Sequence, residues 1–485
     1  MKKLIIVFLL VICGILSAEI RSIWVLPWNI KSPYAIDNVI ENALAANQNE
    51  LLIEVRYRSD ALYIPNRLSD IYPNPDPRSY ILSGAAFDPL EYTLRKAHDA
   101  GLRVQAWVVV FNATHIDPEI NRRNYIFKNH PNWITEDKYG NKMNGKEQYG
   151  YFIDPGIPEV QDYLLDVFSD LVDSYPNLDG LHLDYARYPS IAYGYHPTSL
   201  ERYEAAQKKQ KLSFAQWRIQ QVTEFVEKLN QRVKSLNPNL ILSAAVFSEI
   251  NEARTHYGQD WFDWLNRGLI DYAYPMTYHP KYDAFKRQLG AMLDNGNTDR
   301  VVVGLRAWNA QGGSLLPENS PNYNIQHIRD RIDYIRQHDF AGITLFSYEG
   351  IMTGGALQLL AKGAYPYPVP LPYISDPIAE LRALAAQDSQ DKLAFYKAKS
   401  GYTLECVLPL AGDWHWDLLN QAGEKLFQSS KYYHEGFNSD DFLGAMARNS
   451  LLPQGSYTLQ MYLPERDEVY RIPIIIEGSP FERTE

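Results

Sequence analysis

The sequence predicts a (β/α)8 barrel followed by a small C-terminal β-sandwich. Eight short apolar runs, at 23–28, 51–56, 103–110, 181–185, 241–247, 270–278, 301–308 and 343–348, are separated by amphipathic stretches such as 35–47, 89–100, 158–174, 215–236 and 325–338. Strict alternation of strand and helix gives a parallel sheet, and eight repeats close it on itself. An open doubly wound sheet would carry a glycine-rich phosphate turn after its first strand, whereas Trp28-Asn29-Ile30-Lys31 stands there. Past residue 363 the composition changes: AYPYPVPLPYISDP holds five prolines, the mark of a stiff linker at a domain boundary.

Taken along the chain, residues 1–18, MKKLIIVFLLVICGILSA, have two lysines, an apolar run and small residues before Glu19, the layout of a secretory leader. Ile12 before Cys13 is bulkier than a lipoprotein site takes, so cleavage after Ala18 and an exported protein, periplasmic or extracellular, are expected. Residues 19–363 form the barrel, 364–377 the linker and 378–485 the second domain. That domain is read as a helical piece at 376–393, then short alternating strands. Its Trp414 and Trp416 either pack a core or face a sugar.

Cys406 is the only cysteine outside the leader, so neither an intramolecular disulfide nor a cysteine metal cluster is expected. A formal charge of −11 argues against nucleic acid as partner, because neutralising phosphates takes clustered Lys and Arg. Thirty-five tyrosines and ten tryptophans supply flat amphipathic rings of the kind that sugars stack on.

In a barrel of this class the chemistry sits at the carboxyl ends of the strands. Those ends give Trp28 on strand one, Glu54, Arg56 and Asp60 on strand two, and Trp107 on strand three. Asp184, Arg187 and Tyr188 end strand four, Glu249 strand five, Tyr278 strand six, Arg306 and Trp308 strand seven, and Tyr348 and Glu349 strand eight. His182 shares a face with Asp184 by strand alternation. The two candidate histidines, His182 and His279, stand singly on separate strands, so neither metal nor other cofactor is expected. No G-x-S-x-G turn is present for a serine nucleophile. Carboxylates among aromatic rings point to glycoside hydrolysis, which needs one carboxylic acid for the leaving oxygen and one carboxylate as nucleophile or base. The segment 111–156 is long for a connection and is read either as a substrate-lining flap or as a self-packed excursion.

The chain resembles the bacterial glycosyl hydrolase-like family ten in EVRYRSDALY (54–63), PLEYTLRKAHDAGLRVQAWV (89–108), HPNW (130–133), IDPGIPEVQDYLLDVFSDLVDSYPNLDGLHLDYARYP (153–189), YGQDWFDWLNRGLIDYAYPMTY (257–278) and GITLFSYEG (342–350). The resemblance spans roughly residues 20–362 and implies an exported (β/α)8 barrel acting on a glycan, with cell-wall glycans implied for some members. DGLHLDYAR also looks like the strand-four motif of family eighteen chitinases, but Ala186 stands where their catalytic glutamate would be, and His182 replaces one aspartate. An amylase-like pair remains, with Asp184 as nucleophile or base and Glu249 as proton donor, Glu54 and Glu349 being reserves for the acid. Trp28, Arg56, Asp60, Trp107, His182, Arg187, Tyr188, Tyr278, Arg306, Trp308 and Tyr348 are the expected substrate contacts. A polysaccharide, such as the glycan backbone of peptidoglycan, is the expected substrate. The alternative is a glycan-binding protein without catalysis on the same barrel.

Overall fold

A computed structural model describes residues 18–372, apart from 69–70, 85, 312–322 and 353–354, and the strands lying between 393 and 476. Residues 1–17 of the expected leader, the end of the expected linker and most of the helix expected at 376–393 lie outside the described residues. The chain divides into two compact units between Tyr373 and Ile374. No helix among the described residues is long and apolar enough to cross a membrane.

The first unit is a closed parallel barrel. Its strands are β1 Ile20–Val25, β2 Glu50–Tyr57, β3 Arg103–Val109, β4 Gly180–Asp184, β5 Ile241–Phe247, β6 Tyr272–Met276, β7 Val302–Arg306 and β8 Gly342–Phe346. Each pairs with the next in sequence, and β1 closes the ring onto β8 through Ile20 opposite Gly342. The main helices are α1 Pro33–Ala45, α2 Pro89–Asp99, α3 Pro158–Ser174, α4 Pro197–Gln210, α5 Phe214–Leu236, α6 Ile250–Tyr257, α7 Trp261–Asn266, α8 Tyr282–Asn295, α9 Ile325–Arg336 and α10 Ala356–Gly363. Starts such as Ser32-Pro33 and Asp88-Pro89 join a capping side chain to a proline whose missing N–H falls where none is needed.

Alternation along the strands makes two cores. Val104, Ala106 and Val108 of β3 face the helices and join the large shell between sheet and helices, as do Leu51, Ile53, Leu181 and Leu183. Leu52, Trp107, Ala245, Tyr272, Tyr274 and Trp24 fill the barrel itself. A Cβ at Gly304 would lie 2.8 Å from the Pro275 carbonyl and 3.0 Å from the Trp24 ring, so glycine there leaves room for the indole.

The second unit's described strands are β9 Leu393–Ala398, β10 Gly401–Leu408, β11 Gly412–Leu419, β12 Lys425–Tyr433, β13 Gly436–Asp441, β14 Gly455–Tyr462 and β15 Val469–Ile476. They form two antiparallel sheets, β9-β10-β13 and β12-β11-β14-β15. Trp414 and Trp416 are buried with Leu418 on one face of β11, which favours packing over sugar presentation.

Candidate active site

A buried hydrogen-bond chain closes the lower half of the barrel. Glu50 accepts from Arg103 Nε (2.5 Å), Gln105 Nε2 (2.8 Å) and the Tyr274 hydroxyl (2.7 Å). Gln105 Oε1 accepts from Ser243 Oγ (2.7 Å), which itself lies 2.7 Å from His182 Nδ1. His182 Nε2 then accepts the Trp24 indole N–H at 3.0 Å. An acceptor at Nε2 places the ring proton on Nδ1, so His182 is the neutral tautomer, and burial pushes its pKa down to about 3. His182 therefore holds Trp24 from below and does not line the cavity; the expectation that it touches substrate is corrected on this ground.

Above that floor, at the carboxyl ends of the strands, opens a cavity of about 530 Å³. Trp24, Trp107, Tyr278 and Phe346 make its aromatic base, with neighbouring ring centroids 5.6 to 6.5 Å apart. Two carboxyl groups face it. Asp184, the last residue of β4, accepts the Tyr185 backbone N–H at Oδ1 (2.7 Å) and the Trp107 indole N–H at Oδ2 (3.2 Å). Burial pushes its pKa up to about 6, against the pull of the Arg187 charge and of those two donors. Tyr185 holds this geometry at a left-handed φ of 53°, a strained backbone of the sort that collects at functional sites. Glu54 on β2 is 3% exposed and has no hydrogen-bond partner among the described residues. Burial first, and then the Asp184 charge, raise its pKa well above the carboxylate range, with Arg58 opposing.

Arg187 lines the wall inside a cage of Phe152, Tyr185, Phe247 and Tyr257, its guanidinium carbon 4.5 to 5.7 Å from the ring centroids. The Tyr278 hydroxyl is buried beside Asp184 without a partner among the described residues, as is Asn112 Oδ1. Asn112 Nδ2 donates to the Gln148 carbonyl (3.2 Å), and both residues line the cavity. The excursion 111–156 thus combines both expected roles. Gln148 reaches the cavity, while Trp133 is buried against His130 and Asp154 is fixed by Thr135 and Ser199.

Of the expected site residues, Asp184, Glu54, Trp107, Arg187 and Tyr278 meet in the cavity. Trp28, Glu349, Trp308 and Arg306 stand around it. Trp28 donates to Glu349 (2.6 Å) and abuts Tyr57, and Trp308 packs on Tyr278 and Phe346 under the Arg306 guanidinium. Glu249, expected as the proton donor, is exposed: the chain leaves β5 at Phe247, Glu249 caps α6, and its carboxylate accepts from Gln288 of α8 (2.9 Å).

Arg56 is displaced by a β-bulge. Glu54 pairs with inward-facing Trp107 but Arg56 with outward-facing Val108, so the guanidinium turns to α3 and binds Asp76 (2.7 Å) and Tyr163 (3.0 Å). Asp60 lies with Tyr80 and His115 in a small adjoining recess that shares Tyr57 and Arg58 with the cavity, and burial raises its pKa to about 7. Tyr188 is buried against Arg218, and Tyr348 packs onto α1 through Asn42 and Asn38. These four likewise lie outside the cavity lining.

Trp24, Tyr57, Arg58, Gln148 and Phe346 line the cavity without having been expected there. Trp24 was legible in principle: β1 stops at Val25, so its last inward residue is Trp24 and not Trp28. Among the described residues no group of three or more His, Cys, Asp and Glu is placed to hold a metal.

Residues 19–304 match the family described as glycosyl hydrolase-like 10. The chain is 22% identical over 294 residues to glycosyl hydrolase YngK of Bacillus subtilis (strain 168), covering 54% of each chain. It is 23% identical over 282 residues to glycosyl hydrolase DigH of Escherichia coli (strain K12), covering 51% of this chain and 60% of that one. It thus spans little more than half the length of the curated relatives it matches. Among solved structures, a β-galactosidase from the psychrophilic Marinomonas ef1 aligns at TM-score 0.46 and 10% identity, over 68% of this chain and 54% of that one.

Proposed function

The chain belongs to the glycosyl hydrolase-like 10 family, and we propose that it is an exported glycoside hydrolase in which Asp184 and Glu54 divide the chemistry. The observation that supports this most is the split between two carboxyl groups in one cavity. Asp184 is stabilised as an anion by two N–H donors and the nearby Arg187, while Glu54 has no such donor and keeps its proton to higher pH. That split supports a role as nucleophile or base for Asp184 and as proton donor for Glu54. Trp24 and Trp107 would pack the apolar face of the sugar, and the Tyr278 hydroxyl and the Asn112 side-chain amide would bond its hydroxyl groups.

The substrate we propose is a polysaccharide, with the glycan backbone of peptidoglycan first. The two antiparallel sheets of the second unit support a sandwich fold for it. The test is reducing-sugar release, with product masses, from a polysaccharide panel that includes peptidoglycan strands freed of stem peptides. Wild type should cleave one of them, and Asp184→Asn and Glu54→Gln should not. Binding without cleavage on every substrate would move the protein to the glycan-binding alternative.

A further inference from the structure

We propose that Arg58 sets the specificity of the cavity by pairing with a carboxylate carried by the sugar substrate; the inference rests on the glycosidase reading above and adds the charge of its substrate. Arg58 lies in a two-residue hairpin, with Tyr57 of β2 paired antiparallel to Asp60. Both central residues are left-handed, Arg58 at φ 52° and Ser59 at φ 58°. Such turns favour Asn-Gly, and a side chain at positive φ strains the backbone. Neither residue is the one the turn prefers. The turn is instead held from outside, by the Asn124 amide on the Arg58 carbonyl (2.9 Å) and by Arg56 on Ser59 Oγ (2.7 Å).

The side chain so placed lines the cavity, stacked 4.6 Å from the centroid of the Tyr57 ring. It is half-buried, yet among the described residues no carboxylate lies within ion-pair distance of it, and its guanidinium makes no hydrogen bond. Arg56 and Arg103, on neighbouring strands, are both ion-paired. The ionisable groups lining the cavity, tyrosines aside, are Glu54, Asp184, Arg58 and Arg187. With Glu54 protonated the cavity carries one net positive charge, inside a chain of formal charge −11. A planar guanidinium with its donors free matches a carboxylate two bonds at a time.

The experiment compares peptidoglycan glycan strands freed of stem peptides, their ether-linked carboxylates intact, with the same strands after reduction of the carboxyl groups to alcohols. Wild type should prefer the intact strands by about tenfold or more in kcat/KM, mainly through KM. Arg58→Gln should bring that ratio to about one, and Arg58→Lys should keep part of it. A wild-type ratio near one, or an unchanged ratio in Arg58→Gln, overturns the inference. Should neither polymer be cleaved, the peptidoglycan reading fails by itself and calorimetric Kd values for the two polymers decide Arg58. A preference lost in Arg58→Gln supports its role, and equal Kd values overturn it.

Discussion

Glu50 and Glu54 stand on the same strand, both inside the barrel, and meet opposite fates. Glu50 is enclosed by Arg103, Gln105 and Tyr274, both carboxylate oxygens accepting from a donor. Glu54, two inward positions further along, has no such donor and faces a cavity and a second carboxylate. A buried carboxylate is tolerated when paired and destabilising when not, so the lower end of the barrel is built for stability and the upper end retains an unsatisfied group, the one to which we assign proton donation. The Trp24–His182 contact joins the two, since the neutral imidazole that ends the floor network holds the indole that begins the cavity.

The difference can be broken by substitution at each end. Asp184→Asn or Glu54→Gln should lower kcat by about a thousandfold on the cleaved glycan while leaving Tm unchanged or higher. Glu50→Gln should do the reverse. Stranding Arg103 in the barrel should lower unfolding free energy by about 3 to 5 kcal/mol in denaturant titration, with turnover per folded molecule kept. His182→Ala leaves the Trp24 N–H without an acceptor and takes one of its two partners from the Ser243 hydroxyl, which keeps Gln105, for a loss of about 1 to 3 kcal/mol and a raised KM as the indole loosens. Glu249→Gln should change kcat by no more than about twofold, since its carboxylate faces α8.

pH sharpens the same contrast. Asp184 holds its proton more tightly folded than unfolded, so stability falls as pH rises from 3.8 through about 6, and Asp184→Asn should flatten that part of a Tm profile. Activity should climb over the same interval as Asp184 ionises, then fall at higher pH where Glu54 loses its proton.

Much of this was legible in the sequence. The alternation of apolar runs located all eight strands, and the strand-end rule picked out Asp184, Trp107, Arg187 and Tyr278. What was hidden turned on single residues at strand ends. The bulge between Glu54 and Arg56 cannot be seen in a pattern of period two, which puts both side chains on one face. The chain turns into α6 just past Phe247, so Glu249 becomes a helix cap although its place in the sequence resembles that of a strand-five acid. Gln148 arrives from 36 residues beyond Asn112, a distance no local pattern encodes.

The most direct measurement is the turnover of Glu54→Gln beside Glu249→Gln on a glycan that wild type cleaves, each across the pH range. Loss of cleavage in Glu54→Gln alone, with a wild-type rising limb centred near pH 6, is the expected result. Full turnover by Glu54→Gln, with cleavage lost in Glu249→Gln, would contradict the assignment of the proton donor and return it to strand five.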